Sequence, residues 1–341
     1  MQRFSHHPIN EVWLATRQED VFDKKQRIID AHHHLFDRPS QHYLAKDLTT
    51  DIGSDLNVIA TVFVQARGFY RVDGPEASQP VGETEYAATV GETAEKSGGP
   101  NLCAAIVGYA DLTLGDAVRP VLEQHIRAGR DRFRGIRHIL TWDENSRLLN
   151  PAYPTTENMM ESHEFRSGFS HLADLGLSFD AWLYFHQIPK LTALARRFPT
   201  VQIILNHCGG ILGIGAYAGH RDDVFKQWRA AMAELATCQN VTVKIGGLGM
   251  SLFGFGFEQA DKAPSSEILA LAWQPWVHTC IDLFGTERCM FESNFPVDKG
   301  SYGYAVGWNA MMRLASELTA EERDALFFRT AATIYNIKDI N

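Results

Sequence analysis

The sequence predicts an α/β protein folded as a (β/α)8 barrel. Short β-rich runs recur eight times along the chain, and the intervals between them are long enough for a helix. Polar side chains also collect at the ends of those runs, which is where a barrel of this kind carries its chemistry. The expected strands are 28–34, 58–65, 103–109, 135–140, 177–183, 201–206, 241–245 and 289–292. Apolar residues recur at helical spacing over 83–96, 117–128, 188–197 and 221–235, and again over 314–335 after the eighth strand.

The bulk numbers fit one large unit. The chain has 341 residues, 45% hydrophobic and 21% charged, ample for a core and within the range of a single barrel. Residues 1–26 are expected to form an arm packed on a barrel domain spanning 27–341. A formal net charge of −9 without a Lys/Arg cluster argues against a nucleic-acid partner and favours a small metabolite. The five cysteines, at 103, 208, 238, 280 and 289, lack a Cys-x-x-Cys pair and read as reduced core thiols. The first 26 residues hold no apolar signal-like region, and no apolar run reaches 18 residues. A cytoplasmic location with no membrane partner follows as the expectation.

The first strand carries the densest signal, Asp30-Ala-His-His-His34. Side chains alternate faces along a strand, so Asp30, His32 and His34 are expected on one face and Ile29, Ala31 and His33 on the other. Two imidazoles at that spacing can bind one ion together. The sixth strand ends in Asn206-His-Cys-Gly-Gly210, and His207 there completes a tridentate site with room for water. Arg137, in Arg134-Gly-Ile-Arg-His138, suits a substrate carboxylate through its forked guanidinium, or an inter-strand ion pair. Arg67 and Arg71 follow the second strand, Tyr184 and His186 the fifth, and Lys244 faces opposite to its neighbours Val243 and Ile245 in the seventh. Arg67, Arg71, Tyr184 and Lys244 join Arg137 as candidate substrate contacts. His6, His7, His33, His125, His163, His220 and His278 are assigned to surface or packing roles. Gly246–Phe257 lacks the glycine spacing of a dinucleotide fingerprint and reads as a mobile aromatic lid. The loops 68–85 and 246–263 are expected to shape the pocket.

Together these motifs, with Phe179-Asp-Ala-Trp182, Gln187, Val243-Lys-Ile-Gly246 and Phe291-Glu-Ser-Asn-Phe-Pro296, resemble the amidohydrolase superfamily. The closest likeness is to the amidohydrolase-2 group of barrel hydrolases, with sugar-lactonase-like and pyrone-dicarboxylate-lactonase-like members, over about residues 27 to 337. The resemblance implies a barrel of the metal-dependent-hydrolase type holding one divalent ion, zinc foremost, at His32, His34, His207 and His186. Some lactonases of the group work without a metal, so a metal-free site is the other outcome. It also implies attack of activated water on a lactone, ester or amide carbonyl, here a small carboxylated lactone, in a chain that associates into a homo-oligomer. A minority of relatives decarboxylate aromatic acids, which is the second reading; a catalytically weak binding protein is the third.

One departure is decisive. Asn294 stands where relatives end the eighth strand with the aspartate that touches the metal and takes the proton of the attacking water. A carboxamide can offer oxygen but cannot accept that proton. Glu292, two positions earlier, is expected on the same face about 6.5 Å deeper along the strand. A buried carboxylate there suits a general base, which makes Glu292, Asn294 and His207 the catalytic candidates. The alternative for Glu292 is a structural ion pair with Lys244 or an arginine. His186 and Gln187 are shifted from the histidine-proline-glutamine order of the family's fifth-strand ligand.

Overall fold

The computed structural model describes residues 7–38 and 41–338. The role expected for His6, the start of the arm and residues 339–341 lie outside the described residues. Eight strands form one parallel sheet in chain order: β1 (Ile28–His33), β2 (Val58–Val64), β3 (Asn101–Gly108), β4 (Phe133–Ile139), β5 (Ser178–Trp182), β6 (Ile203–Leu205), β7 (Val241–Ile245) and β8 (Cys289–Phe291). The sheet closes where β1 meets the segment after β8. Asn294 N donates to His32 O at 2.9 Å, and His34 N donates to Phe295 O at 2.8 Å. The cis peptide bond between Phe295 and Pro296 follows directly on this closure.

Each strand is followed by a helix on the outside: α1 (Ala45–Ile52), α2 (Val81–Ser97), α3 (Arg119–Gly129), α4 (His163–Asp174), α5 (Ile188–Arg197), α6 (Arg221–Ala236), α7 (Ser266–Phe284) and α8 (Tyr304–Leu314). In α5, Ile188, Leu191, Leu194 and Ala195 recur at helical spacing and are buried against the sheet, with a proline in the first turn where its missing N–H costs nothing. The Ser265 hydroxyl accepts the Ile268 N–H at the start of α7, and Gly285 ends that helix at φ 74°. The chain before β1 touches the segment ahead of α7 and the middle of α8: Trp13 Nε1 donates to Ala260 O at 2.8 Å, and Phe22 N donates to the Asn309 side chain at 2.8 Å.

Two expectations of pattern are corrected. The helical spacing over 314–335 is not one helix directly after β8: α8 comes first and ends at Leu314, and the chain resumes helix from Ala320, with a wide π-type turn over Ala325–Arg329, to Ile334. The alternation in β1 holds as far as Ala31 and breaks after it. Pairing with β2 slips between Asp30 and His33, so Ile29 and Ala31 join an inner apolar cluster while His32 still faces inward. Asp30 turns away to accept from Ser293 N at 2.9 Å, Ser293 Oγ at 2.6 Å and Tyr304 OH at 2.9 Å. His33 turns to Thr61 Oγ1, at 2.8 Å.

The inner cluster takes alternate residues of the strands, Ala60, Val62 and Val64 in β2, Ala105 and Val107 in β3, Met290 in β8, together with Phe328, Ala331 and Tyr335 of the C-terminal helix. That helix therefore stops one end of the barrel. Tyr335 OH lies 3.0 and 3.1 Å from the two oxygens of Asp180, which itself holds the fully buried Lys244 at 2.8 Å. Tyr335→Phe removes a donor from a buried ion pair, and a loss of ~1–3 kcal/mol in urea unfolding is expected. An unchanged midpoint would mean that the hydroxyl carries none of the anchoring.

Candidate active site

At the other end of the barrel a cavity of about 440 Å³ opens. Its wall is built by segments that follow five of the strands: His34, Phe36 and Arg38; Ala66 and Arg67; Asn150, Ala152 and Tyr153; His207; Asn294 and Val297. Arg137 and Ile139 of β4, Trp182 at the end of β5, and Met250 complete it. Segment 68–85, expected to shape the pocket, does not reach this wall. The expected lid over 246–257 is held down instead. Gly249 N donates to Asp298 at 2.8 Å, Ser301 Oγ to Gly249 O at 2.7 Å, and Gly213 N to Leu252 O at 2.9 Å, with Met250 as its contact to the cavity.

Directly behind the wall, His32, His207 and Glu292 form a buried cluster whose ligand atoms all lie within 4.8 Å of one another. Their protonation follows from their partners. The carbonyl of Val64 can only accept, and His34 Nδ1 lies 2.7 Å from it, so Nδ1 holds the proton and Nε2 a lone pair. A guanidinium can only donate, and Arg137 Nη1 lies 3.2 Å from His32 Nε2, so that nitrogen also carries a lone pair. His32 Nδ1 then bears its proton toward Glu292 Oε2, 3.0 Å away, and not a lone pair toward Lys244, 3.4 Å away. His207 Nδ1 lies 2.6 Å from Glu292 Oε1 and donates to it. The Oε2 contact lies off the line of a good hydrogen bond, so this oxygen keeps an unfilled acceptor position.

Backbone geometry makes the room. His207 sits at φ 54° and Asn294 at φ 55°, in the left-handed region that ordinary residues avoid. A Cβ at Gly247, itself at φ 66°, would stand 2.6 Å from His207 Nδ1, and one at Gly246 would stand 2.4 Å from Glu292 Cγ. The two glycines after β7 are thus the space that Glu292 and His207 occupy.

The structure sorts the residues expected from the sequence. His32, His34, His207, Glu292, Asn294 and Arg137 come together. Arg67 reaches the cavity, its guanidinium 5.3 Å from the Tyr153 ring. Arg71 does not, because it pairs with Glu85 and meets Gln124 at 3.3 Å. His186 stands apart from the imidazole cluster and pairs with Asp143 at 3.1 Å, while Gln187 bridges Leu140 O and Tyr184 N as a loop tie. The Tyr184 hydroxyl is turned to Leu148 O at 2.5 Å, away from the cavity wall. Lys244 lies beneath the cluster, and its ion-pair partner is Asp180, not Glu292.

Several participants carried no sequence signal of their own. Arg38 comes from a small hairpin, Phe36–Arg38 with Gln41–Tyr43, and donates to Ala66 O. Tyr153 comes from the loop after β4 and donates to the Gln65 side chain at 3.0 Å. Glu83, in α2, accepts from Ala66 N at 2.7 Å and Gly68 N at 2.9 Å and so fixes the turn that presents Arg67. Asp298 accepts from Asn294 Nδ2 at 2.8 Å and from Tyr302 OH at 2.6 Å, one turn beyond Asn294. Asn294 Oδ1, buried on the cavity wall, is left without a partner.

The eight-stranded parallel barrel thus carries its imidazoles at the strand ends, where barrels of this kind place their sites. The chain belongs to the amidohydrolase family, whose model matches residues 29–337. It is 33% identical to the uncharacterized protein y4mH of Sinorhizobium fredii, over 91% of this chain and 98% of that one. It is 28% identical to the L-fucono-1,5-lactonase of Burkholderia ambifaria, over 60% of this chain and 61% of that enzyme. Among solved structures, an amidohydrolase from Burkholderia multivorans with bound zinc shares the fold at a TM-score of 0.69 and 24% identity, covering 91% of this chain and 99% of that one. All five cysteines are free and buried. Among the described residues, no helix is long and apolar enough to cross a membrane.

Burial sets the acid response. It lowers the pKa of His32, His34 and His207, takes His33 to about 3 and takes His125 and His138 to about 4. It also pushes Asp30 up to about 6 and Glu83 and Asp298 up to about 7. As pH falls through 6.5, these six imidazoles take protons in the unfolded chain first, which costs stability. The three carboxyls take theirs in the folded chain first, which adds stability. Six outweigh three, so the melting temperature should fall between pH 7.5 and 5.5; an equal or higher value at pH 5.5 would contradict this balance.

Proposed function

We propose that the protein opens a small carboxylated lactone, with one divalent ion, zinc foremost, held at His32, His34 and His207. The observation that carries the substrate class is the charge of the cavity wall. Arg38, Arg67 and Arg137 line it, and among the described residues no carboxylate does. Three guanidiniums without acidic partners on the wall suit an anionic ligand, and Trp182 and Tyr153 supply flat faces for its ring. The lactone reading is supported by the 28% identity to a lactonase.

The residues fit a metal ion. His32 Nε2 and His34 Nε2, both lone-pair nitrogens, lie 3.2 Å apart, close to the roughly 3.3 Å that two ligands at 2.0–2.1 Å subtend on a tetrahedral ion. Two facing lone pairs repel unless a cation lies between them. The unpartnered Asn294 Oδ1 adds a neutral oxygen at the same wall. A bound ion would polarise the carbonyl and bring the pKa of water near 7. The chain's own groups then orient the substrate: Arg67 and Arg38 hold its carboxylate at the mouth, Arg137 reaches the reacting end, and Asn294 Oδ1 accepts a hydrogen bond from water.

Purified protein is expected to carry a divalent ion by elemental analysis and to hydrolyse carboxylated lactones in preference to neutral ones. Arg137→Lys, which loses the fork, should lower kcat/KM for the carboxylated substrate by about 10–100-fold, the equivalent of ~1.5–3 kcal/mol for a hydrogen bond to charge. Metal-loaded protein that turns over no lactone would sink the reading.

Asn294 is not a simple lesion. Asn294→Asp would place one acidic oxygen opposite another at Asp298, where an N–H now donates at 2.8 Å. The single variant should therefore gain no activity, whereas Asn294→Asp with Asp298→Asn exchanges donor and acceptor and should exceed it. Equal rates for the two variants would show that the pair is not coupled.

A further inference from the structure

We infer that Glu292 is a positioning residue: its carboxylate accepts Nδ1–H of His207 on Oε1 and sets Oε2 3.0 Å from His32 Nδ1, and so keeps the proton of both imidazoles on Nδ1 and a lone pair on Nε2. This role rests on the metal reading above for its use, but not for its geometry. Glu292 is fully buried and lies off the cavity wall, so it does not reach a water poised on substrate. Its two oxygens lie 2.6 Å from His207 Nδ1 and 3.0 Å from His32 Nδ1. Imidazole ligands are normally held from behind by a carboxylate or carbonyl on the other ring nitrogen. Here one carboxylate serves two rings, while the Val64 carbonyl serves the third, His34.

The chain around Glu292 is built for that posture. Gly246 and Gly247 leave the space that a side chain would take from Glu292 Cγ and His207 Nδ1. The nearby ammonium of Lys244 is already committed to Asp180 at 2.8 Å. Arg137 meets His32 from the opposite side, on Nε2. Glu292 therefore faces two imidazole N–H groups, and its chemistry decides where both protons sit.

Glutamine is the discriminating replacement. It offers one carbonyl oxygen and one NH2 group, so it can accept from one ring and must donate to the other, which then moves its proton to Nε2. In chelator-treated, 15N-histidine-labelled protein, long-range proton–nitrogen spectra are expected to show Nδ1–H for His32, His34 and His207. In Glu292→Gln one of His32 and His207 should switch to Nε2–H, and His34 should stay. Zinc affinity, measured by competition with a chromophoric chelator, should fall about 10–100-fold. Glu292→Asp keeps both acceptors and should retain the tautomers with a smaller loss. Gly246→Ala changes no charge but crowds Glu292, and should lower zinc affinity in the same direction. An Nε2–H tautomer at His32 or His207 in the parent protein, or unchanged tautomers in Glu292→Gln, would overturn the inference. Parent protein with the stated tautomers but no zinc affinity would overturn the metal reading and uphold the role of Glu292.

Discussion

A single buried carboxylate organises the cavity end of this barrel. An unpaired charge in the interior costs several kcal/mol, so Glu292 must be surrounded by donors. It finds one in His207, just after β6, at 2.6 Å, and faces His32 of β1 at 3.0 Å. That requirement reaches back into the sequence. The strand before it must carry glycine at 246 and 247, and the chain after β6 must turn sharply at His207. The segment after β8 must then close on β1 through Asn294 and Phe295. Barrel closure and site assembly are thus one event, since the residues that complete the ring of strands are those that flank Glu292.

The same closure explains how a carboxamide sits at position 294. Asn294 is fixed by Asp298, and Asp298 by Tyr302 OH and Gly249 N. With its N–H spent on Asp298, the side chain has one polar atom left, and that oxygen faces the cavity. An acid at 294 would need a different neighbour at 298. The exchange of charge belongs to the pair, not to one residue.

Much of this was legible in the chain. Eight β-rich runs with helical intervals gave the barrel, because period-2 and helical spacing survive wherever one face is buried. The strand-end rule then located His32, His34, His207, Arg137 and Glu292. The misreadings share a cause: they depend on partners far away in sequence. His186 and Arg71 look like their neighbours in the list of strand-end groups, but Asp143 and Glu85 claim them. Asp180 belongs to a motif of the family, but its partners Lys244 and Tyr335, 64 and 155 positions away, are visible only in the fold. The slip in β1 is a register feature, and no composition announces it.

The barrel interior holds acids and bases in matched number, and this balance bears on what the site accepts. Asp180 holds Lys244 and Tyr335, Glu292 holds its imidazoles, and Arg137 faces the cavity. Two acids and two bases balance, so the set is neutral before anything binds. A divalent ion on neutral imidazoles adds two positive charges beside Arg137, in a setting where charges are poorly screened. The combination is unfavourable until an anion enters, and Arg38 and Arg67 at the mouth increase the demand. Metal and anionic substrate should therefore bind with positive coupling, each relieving the cost of the other. On the proposed reading, a substrate carboxylate would supply the negative charge that Asn294 does not.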